Sequence, residues 1–212
     1  MSLAVLEDLF PTEVFAPIRP EAPRYPIIAL IPVHNELEFT DTVRAVLAQT
    51  LPPDEIYILT DNCRDERIWE IASRLPVSVS CTVGNKHKKA GNLNAALKPL
   101  LASLPADTII AGFDADSIPG PDFIENAVRW LDRGYGAVGA TFQGRTGGGL
   151  LGQLQRSEFA RFARHQHRKS STDVLSGTGW VIWSGVLREV ARNRPDGQVY
   201  AVQYITEDFE LT

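Results

Sequence analysis

Basic residues, cysteines and long apolar runs are all scarce in this sequence, and each scarcity removes a class of function. Lys and Arg number 21 against 26 Asp and Glu, a net charge of −5. That balance argues against a general nucleic-acid binder, whose affinity comes from neutralising phosphates. The two cysteines, Cys63 and Cys81, fit no metal-ligand spacing and suit a reducing compartment. No run approaches the about 20 apolar residues of a membrane-spanning helix, so no transmembrane segment is predicted. The N-terminus lacks the basic start and apolar stretch of a secretory leader. No Gly-x-Gly-x-x-Gly or Walker-type sequence follows the first apolar run, which disfavours dinucleotide dehydrogenases and P-loop enzymes. Repeats and low-complexity tracts are absent. The chain has 212 residues, 44% hydrophobic and 22% charged. It reads as one soluble, cytoplasmic domain with a core that needs no disulfide.

What is present is punctuated regularly. Residues 1–26 carry Pro11, Pro17, Pro20, Pro23 and Pro26, a density that forbids a long helix and predicts an extended arm. From Ile27 onward, strand and helix alternate. Ile27–Ile31 is a continuous apolar run, as in a parallel strand covered on both faces, and breaks at Pro32-Val33-His34-Asn35-Glu36. A helix with Val43, Val46 and Leu47 on one face follows. Ile56–Leu59 is a second strand, breaking at Thr60-Asp61-Asn62. Its helix carries Ile68, Ile71, Ala72 and Leu75, and Val77, Val79 and Cys81 alternate as a third strand. The polar stretch Gly84 to Asn92 opens a helix through Leu93, Leu97, Leu100 and Leu104, with a bend predicted near Pro99. The fourth strand is Ile109-Ile110-Ala111-Gly112-Phe113. A helix lined by Phe123, Ile124, Ala127, Val128 and Leu131 comes next.

Each of these strands stops at a polar cluster, and right-handed crossovers would set the clusters along one rim of a parallel sheet. His34 to Glu36, Asp61, the Lys86 to Asn92 loop and Asp114/Asp116 should therefore meet. Asp114 and Asp116, spaced i, i+2 on an extended chain, would point the same way and share a divalent cation. Alone, that pair is better explained as the cap of a turn. Asp61 suits the imide N–H of a uracil or a ribose hydroxyl, and a turn aspartate equally well. Lys86-His87-Lys88-Lys89 is the densest basic run in an acidic chain. A solvated charge run is its ordinary explanation, yet it opens a helix whose N-terminal N–H groups also favour an anion. A diphosphate with a divalent cation at Asp116 fits both.

Beyond Arg133 the pattern changes. Ala137–Phe142 reads as a fifth strand, and Leu150–Lys169 as an amphipathic helix ending in basic residues. His165 and His167, i and i+2 on that helix, face apart and read as surface. Ser176-Gly177-Thr178-Gly179-Trp180 is a small-residue turn where a backbone could approach a ligand. A helix through Val186, Leu187 and Val190 leads to Glu207 and Asp208. These begin a predicted helix, where acids are favoured in any case, and one of them could act as general base.

Pro32-Val33-His34-Asn35-Glu36, Asp61-Asn62, Lys89-Ala90-Gly91-Asn92-Leu93-Asn94, Asp114-Ala115-Asp116 and Thr206-Glu207-Asp208 stand in an order that resembles family 2 glycosyltransferases, nearest the cellulose-synthase and hyaluronan-synthase branch. The resemblance spans Ile27 to the C-terminus. It implies the GT-A fold, a Rossmann-like, mostly parallel α/β sheet flanked by helices in one catalytic domain over 27–212. The implied reaction is inverting, Mg²⁺- or Mn²⁺-dependent transfer of a hexosyl or N-acetylhexosaminyl group from a nucleotide-diphosphate sugar, most often a UDP-sugar. The acceptor would be a carbohydrate, lipid or protein hydroxyl.

The resemblance also implies roles. Pro32, His34, Glu36, Asp61, Lys89, Gly91, Asn92, Asp114, Ala115 and Asp116 would form the donor site, with Asp61 on uracil and Asp114 on ribose or sugar. Asp116, with Asp114, would hold the metal. Thr178 and Gly179 would lie near the acceptor. Asp208, beside Glu207, would be the catalytic base. His34 stands where the family commonly has tyrosine, and Thr60-Asp61 where it often has Asp-Asp. The chain ends four residues after Asp208, whereas the family's polymerising members continue with a Gln-x-x-Arg-Trp segment and membrane helices. That implies a compact enzyme or the catalytic part of a longer one, at the cytoplasmic membrane face. A nucleotide-sugar-binding domain without turnover is the alternative. A glycosidase has no use for a diphosphate cradle, and a nucleotidyltransferase would require a nucleoside triphosphate.

Overall fold

Strand β1 (Ile27–Val33) is apolar at almost every position because helices cover both of its faces. In the computed structural model, which describes residues 25–62, 65–144, 146–167 and 175–202, its side chains divide alternately between two cores. Ile27, Ala29, Ile31 and Val33 pack into one; Ile28 and Leu30 pack into the other. Burying each Ile, Leu or Val among them is worth roughly 1.5–3 kcal/mol. The expected Pro-rich arm lies outside the described residues, apart from Tyr25 and Pro26. Tyr25 meets Trp183 edge-on at 4.8 Å.

Around β1 the order is β1, α1 (Phe39–Leu47), β2 (Glu55–Asp61), α2 (Glu66–Ala72), β3 (Ser78–Thr82), α3 (Lys88–Ser103), β4 (Ile109–Gly112) and α4 (Phe123–Leu131). Then come β5 (Ala137–Gly139), α5 (Gly149–His167), β6 (Trp180–Trp183) and α6 (Ser184–Asn193). The six strands form one sheet in the order β3-β2-β1-β4-β6-β5. β1, β2, β3 and β4 run parallel, and β6 lies antiparallel between β4 and β5. Helices α1, α2 and α4 cover the first core, through Phe39, Val43, Val46, Ile68, Ala72, Ile124 and Leu131. Helices α3 and α6 cover the second, through Leu93, Leu97, Leu101 and Leu187.

Several boundaries differ from the sequence pattern for local reasons. β5 stops at Gly139, not Phe142, because its partner β6 begins at Trp180, directly opposite. Leu47, expected on the buried face of α1, is 39% exposed; the buried face is made by Phe39, Thr42, Val43 and Val46. α3 runs through Pro99, which is exposed, while Leu97 and Leu101 anchor the helix on either side. On α5 the apolar Leu150, Leu151, Leu154 and Phe162 face outward, and Ala163 is buried. A Cβ at Gly112 would overlap the ring of Trp180, its cross-strand partner. Only a glycine lets β4 and β6 pair with that buried indole across them.

The chain leaves β1 toward β2 on one side, and β4 lies on the other. That reversal opens a crevice beyond the carboxyl ends of β1 and β4, the position where open α/β sheets take their ligands.

Candidate functional site

A cleft of about 510 Å³ occupies this crevice, lined by Pro32, Val33, His34, Glu36, Asp61, Lys88, Lys89, Asn92, Asp114, Ala115 and Asp116. Residues that follow β1, end β2, open α3 and follow β4 are thus brought together, as the rim argument required. Gly91, Thr178 and Gly179 stand beside the cleft rather than lining it. Of the basic run, Lys88 and Lys89 reach the cleft; Lys86 and His87 are exposed elsewhere.

The two aspartates after β4 are not on an extended chain. The strand ends at Gly112, and Ser117 N–H donates to the Asp114 carbonyl at 3.1 Å, closing a turn. The turn expected for the pair taken alone, not the strand geometry of a shared direction, presents Asp114 half-buried and Asp116 exposed. The turn is held from two sides. Thr42 of α1, itself buried, donates to Ala115 O at 2.8 Å. Asp114 N–H donates to Thr178 Oγ1 at 2.7 Å, and the Ser117 and Thr178 hydroxyls lie 3.0 Å apart. Thr178 is thus a support for the aspartate turn. Gly179 has φ +62°, and a Cβ there would come within 2.7 Å of Ala140 Cβ. Both the left-handed backbone and the close approach call for glycine.

Lys89 extends from the first turn of α3 and bridges two parts of the site. Its Nζ lies 2.7 Å from Asp114 Oδ1 and donates to Gly177 O at 2.5 Å. The N-cap, His87, makes no side-chain capping bond, and no acid sits in the first turn. The helix itself therefore supplies no carboxylate to offset the positive end of its dipole. Asn92, 2% exposed, turns its amide to the sheet: Nδ2 donates to Leu59 O at 2.7 Å, and Oδ1 accepts from Thr82 Oγ1 at 2.8 Å.

Asp61, also lining the cleft, is 6% exposed. His34 Nδ1 is 2.7 Å from the Asp61 carbonyl. A carbonyl only accepts, so Nδ1 carries the hydrogen. Glu36 Oε2 accepts from His34 N–H at 2.6 Å and closes the loop after β1. The Asp61 carboxylate accepts at Oδ1 from Asn62 Nδ2 (3.1 Å) and Asn85 Nδ2 (2.9 Å).

Among the described residues no three His, Cys, Asp or Glu side chains group as a metal cage. The donor set still suits a hard cation. Asp116 and Asp114 offer carboxylate oxygens at one cleft, and Mg²⁺-type sites commonly take one or two carboxylates plus substrate phosphates.

Thr42, Asn62, Asn85 and Ser117 carried no assigned role in the sequence. The only local signal for them is that Asn62 follows a strand-end aspartate and adopts φ 49°, a left-handed conformation that asparagine tolerates. Asn94, the last residue of the Lys89–Asn94 motif, was likewise unassigned. It donates to Tyr200 O at 2.8 Å and Gln198 Oε1 at 2.7 Å, and accepts from Tyr200 N–H at 2.9 Å. It ties α3 to the segment leading toward Glu207 and Asp208. Those two acids, and Thr206, lie outside the described residues, as do the side chains of His165 and His167.

The model of the family described as Glycosyl transferase family 2 matches residues 28–191. The UDP-forming cellulose synthase catalytic subunit of Pseudomonas fluorescens (strain SBW25) is 32% identical over 119 residues, 54% of this chain and 15% of that protein. The chain thus spans about one-seventh of the length of this curated relative. Among solved structures, the mannosyltransferase PcManGT of Pyrobaculum calidifontis, in complex with GDP-Man and Mn²⁺, superposes with a TM-score of 0.61 at 20% identity. That match covers 89% of this chain and 51% of the other. TarS residues 1–349 of S. aureus, in complex with UDP-GlcNAc, gives 0.57 at 12% identity, covering 86% and 51%. At such identities the likeness establishes the GT-A fold.

Proposed function

The chain belongs to glycosyltransferase family 2, and from that premise we propose that it transfers a sugar from a nucleotide-diphosphate sugar to an acceptor hydroxyl, with inversion at the anomeric carbon. A UDP-sugar is the proposed donor, and a hexosyl or N-acetylhexosaminyl group the proposed cargo. The observation that carries the reading is the junction of Lys89, Asp114, Asp116 and Asp61 in one cleft at the sheet's switch point.

Asp61 receives the imide N–H of uracil. Lys89 and the N-terminus of α3 take the diphosphate, where negative charge grows as the sugar leaves. Asp114, fixed by Thr178 and Lys89, meets the ribose or the sugar. Asp116 would hold Mg²⁺ or Mn²⁺, which when bound supplies positive charge to the leaving diphosphate. Asp208 takes the proton of the acceptor hydroxyl as that oxygen bonds to the anomeric carbon from the face opposite the diphosphate. The bond from that carbon to the phosphate oxygen breaks, and its electron pair leaves with the nucleoside diphosphate. Configuration inverts in one displacement, with no covalent enzyme intermediate.

Calorimetric titration of UDP with and without Mn²⁺ tests the donor site, with Asp116→Ala as control. Metal-enhanced binding that the substitution removes supports the reading; absence of UDP binding in both conditions rejects it. The base has a separate test. Asp208→Asn should keep UDP affinity within about twofold and lower transfer by at least about 10²-fold, the scale of general-base catalysis. Unchanged transfer would take the proton-abstracting role away from Asp208.

A further inference from the structure

Asn85 sits in the polar loop between β3 and α3, and every polar group of its side chain is used. Its Oδ1 accepts from the backbone N–H of His87 at 2.9 Å, which fixes the amide's orientation because that donor is unambiguous. Nδ2 therefore faces the other way. It donates to Lys88 O at 2.6 Å and to Asp61 Oδ1 at 2.9 Å. Asn62 reinforces the arrangement: its Nδ2 donates to the same Asp61 Oδ1 and to Asn85 O at 2.7 Å, and its Oδ1 accepts from Gly84 N–H at 2.7 Å. Gly91 leaves the space for all this, since a Cβ there would overlap Asn85 Oδ1 and come within 2.8 Å of His87 Cβ. The result is a lopsided carboxylate. Oδ1 of Asp61 accepts two amide bonds, and Oδ2 accepts none among the described residues.

We propose that Asn85 is a positioning residue that makes Asp61 a reader of the nucleobase. Resting on the donor-site reading above, it orients the carboxylate so that Oδ2, unshared among the described residues, is an acceptor on the cleft wall. An acceptor held there accommodates a base with a ring N–H, as in uracil. It opposes one with a ring-nitrogen lone pair at the equivalent position, as in cytosine. Asn85 itself touches no ligand. Gly91, in turn, is glycine in order to admit Asn85.

The test is binding of UDP and CDP, each with Mn²⁺, to wild type, Asn85→Ala, Asn85→Asp and Gly91→Ala, with melting temperature recorded for each. Wild type should prefer UDP by about tenfold or more, the usual discrimination from one charge-assisted hydrogen bond. Asn85→Ala should lose about tenfold toward UDP and under about twofold toward CDP. Asn85→Asp keeps the shape but replaces the donor with an acceptor, so it should behave like the alanine variant. Gly91→Ala should reproduce the selectivity loss by displacing Asn85. Parallel weakening toward UDP and CDP would mean that Asn85 is only a loop clip, and unchanged affinities would mean that it does nothing for the site; either result overturns the proposal. Equal wild-type affinity for UDP and CDP also overturns it while leaving the diphosphate site standing. Binding of neither nucleotide removes the donor-site reading itself, and this inference with it.

Discussion

Lys89 has three ammonium N–H donors, and the described residues take two, on Asp114 Oδ1 and Gly177 O. In the proposed donor site a third N–H would serve a phosphate oxygen, so the lysine would contact a diphosphate without surrendering the bonds that hold the aspartate turn. Lys89→Met should weaken UDP by about 10- to 100-fold, the worth of a charge-assisted hydrogen bond, while binding of uridine, which lacks phosphates, changes little. Calorimetry with both ligands checks this, and equal losses for both would remove Lys89 from the phosphate site. The residues alone marked this lysine as part of a basic run, and the family resemblance gave it a donor-site role. Which members of the run enter the cleft depended on where α3 starts, at Lys88, whose φ of 48° turns the loop into the helix.

At the scale of elements, the cleft is assembled by α3 as much as by the sheet. Its first turn supplies Lys89, Asn92 pins it to β2 and β3, and Asn94 carries the 198–200 segment. Asn94 pairs with both backbone groups of Tyr200, as a neighbouring strand would. Asn94→Ala leaves the N–H and C=O of Tyr200 without these partners in a buried setting. It should cost about 1–3 kcal/mol of stability and lower sugar transfer more than UDP affinity, because the segment leading to Asp208 loses its tether. Thermal melting together with kcat and Kd checks this; an unchanged melting temperature would show that Asn94 is dispensable. The strands around α3 were legible as apolar runs, because burial on both faces leaves few polar positions. Helix faces were less so, as exposed Leu47 illustrates, since propensity does not say which turn reaches the core. The support of the Asp114 turn by Thr42 and Thr178 was not legible, because both partners are remote in sequence.

At the scale of the whole molecule, stability and ligand binding are linked. With no protein cage for a cation among the described residues, Mn²⁺ alone should move the melting temperature little. Mn²⁺ with UDP at about 100 times its dissociation constant should add about 2.7 kcal/mol, a shift of roughly 5–10 °C for a protein of this size. Thermal denaturation with metal, nucleotide and both checks this, and a full shift with metal alone would point to a preformed cation site. The sequence by itself determined the alternating α/β class, the central strands and the polar cluster at each strand end, because periodicity and turn chemistry are local properties of the chain. It also contained the motifs by which the family is recognised. Tertiary structure alone decided that β6 inserts antiparallel between β4 and β5 and that Gly112 must admit Trp180. It alone placed Asn85 against Asp61. Such contacts are fixed by which surfaces meet when the sheet closes its two cores, and no local stretch of sequence encodes its distant partner.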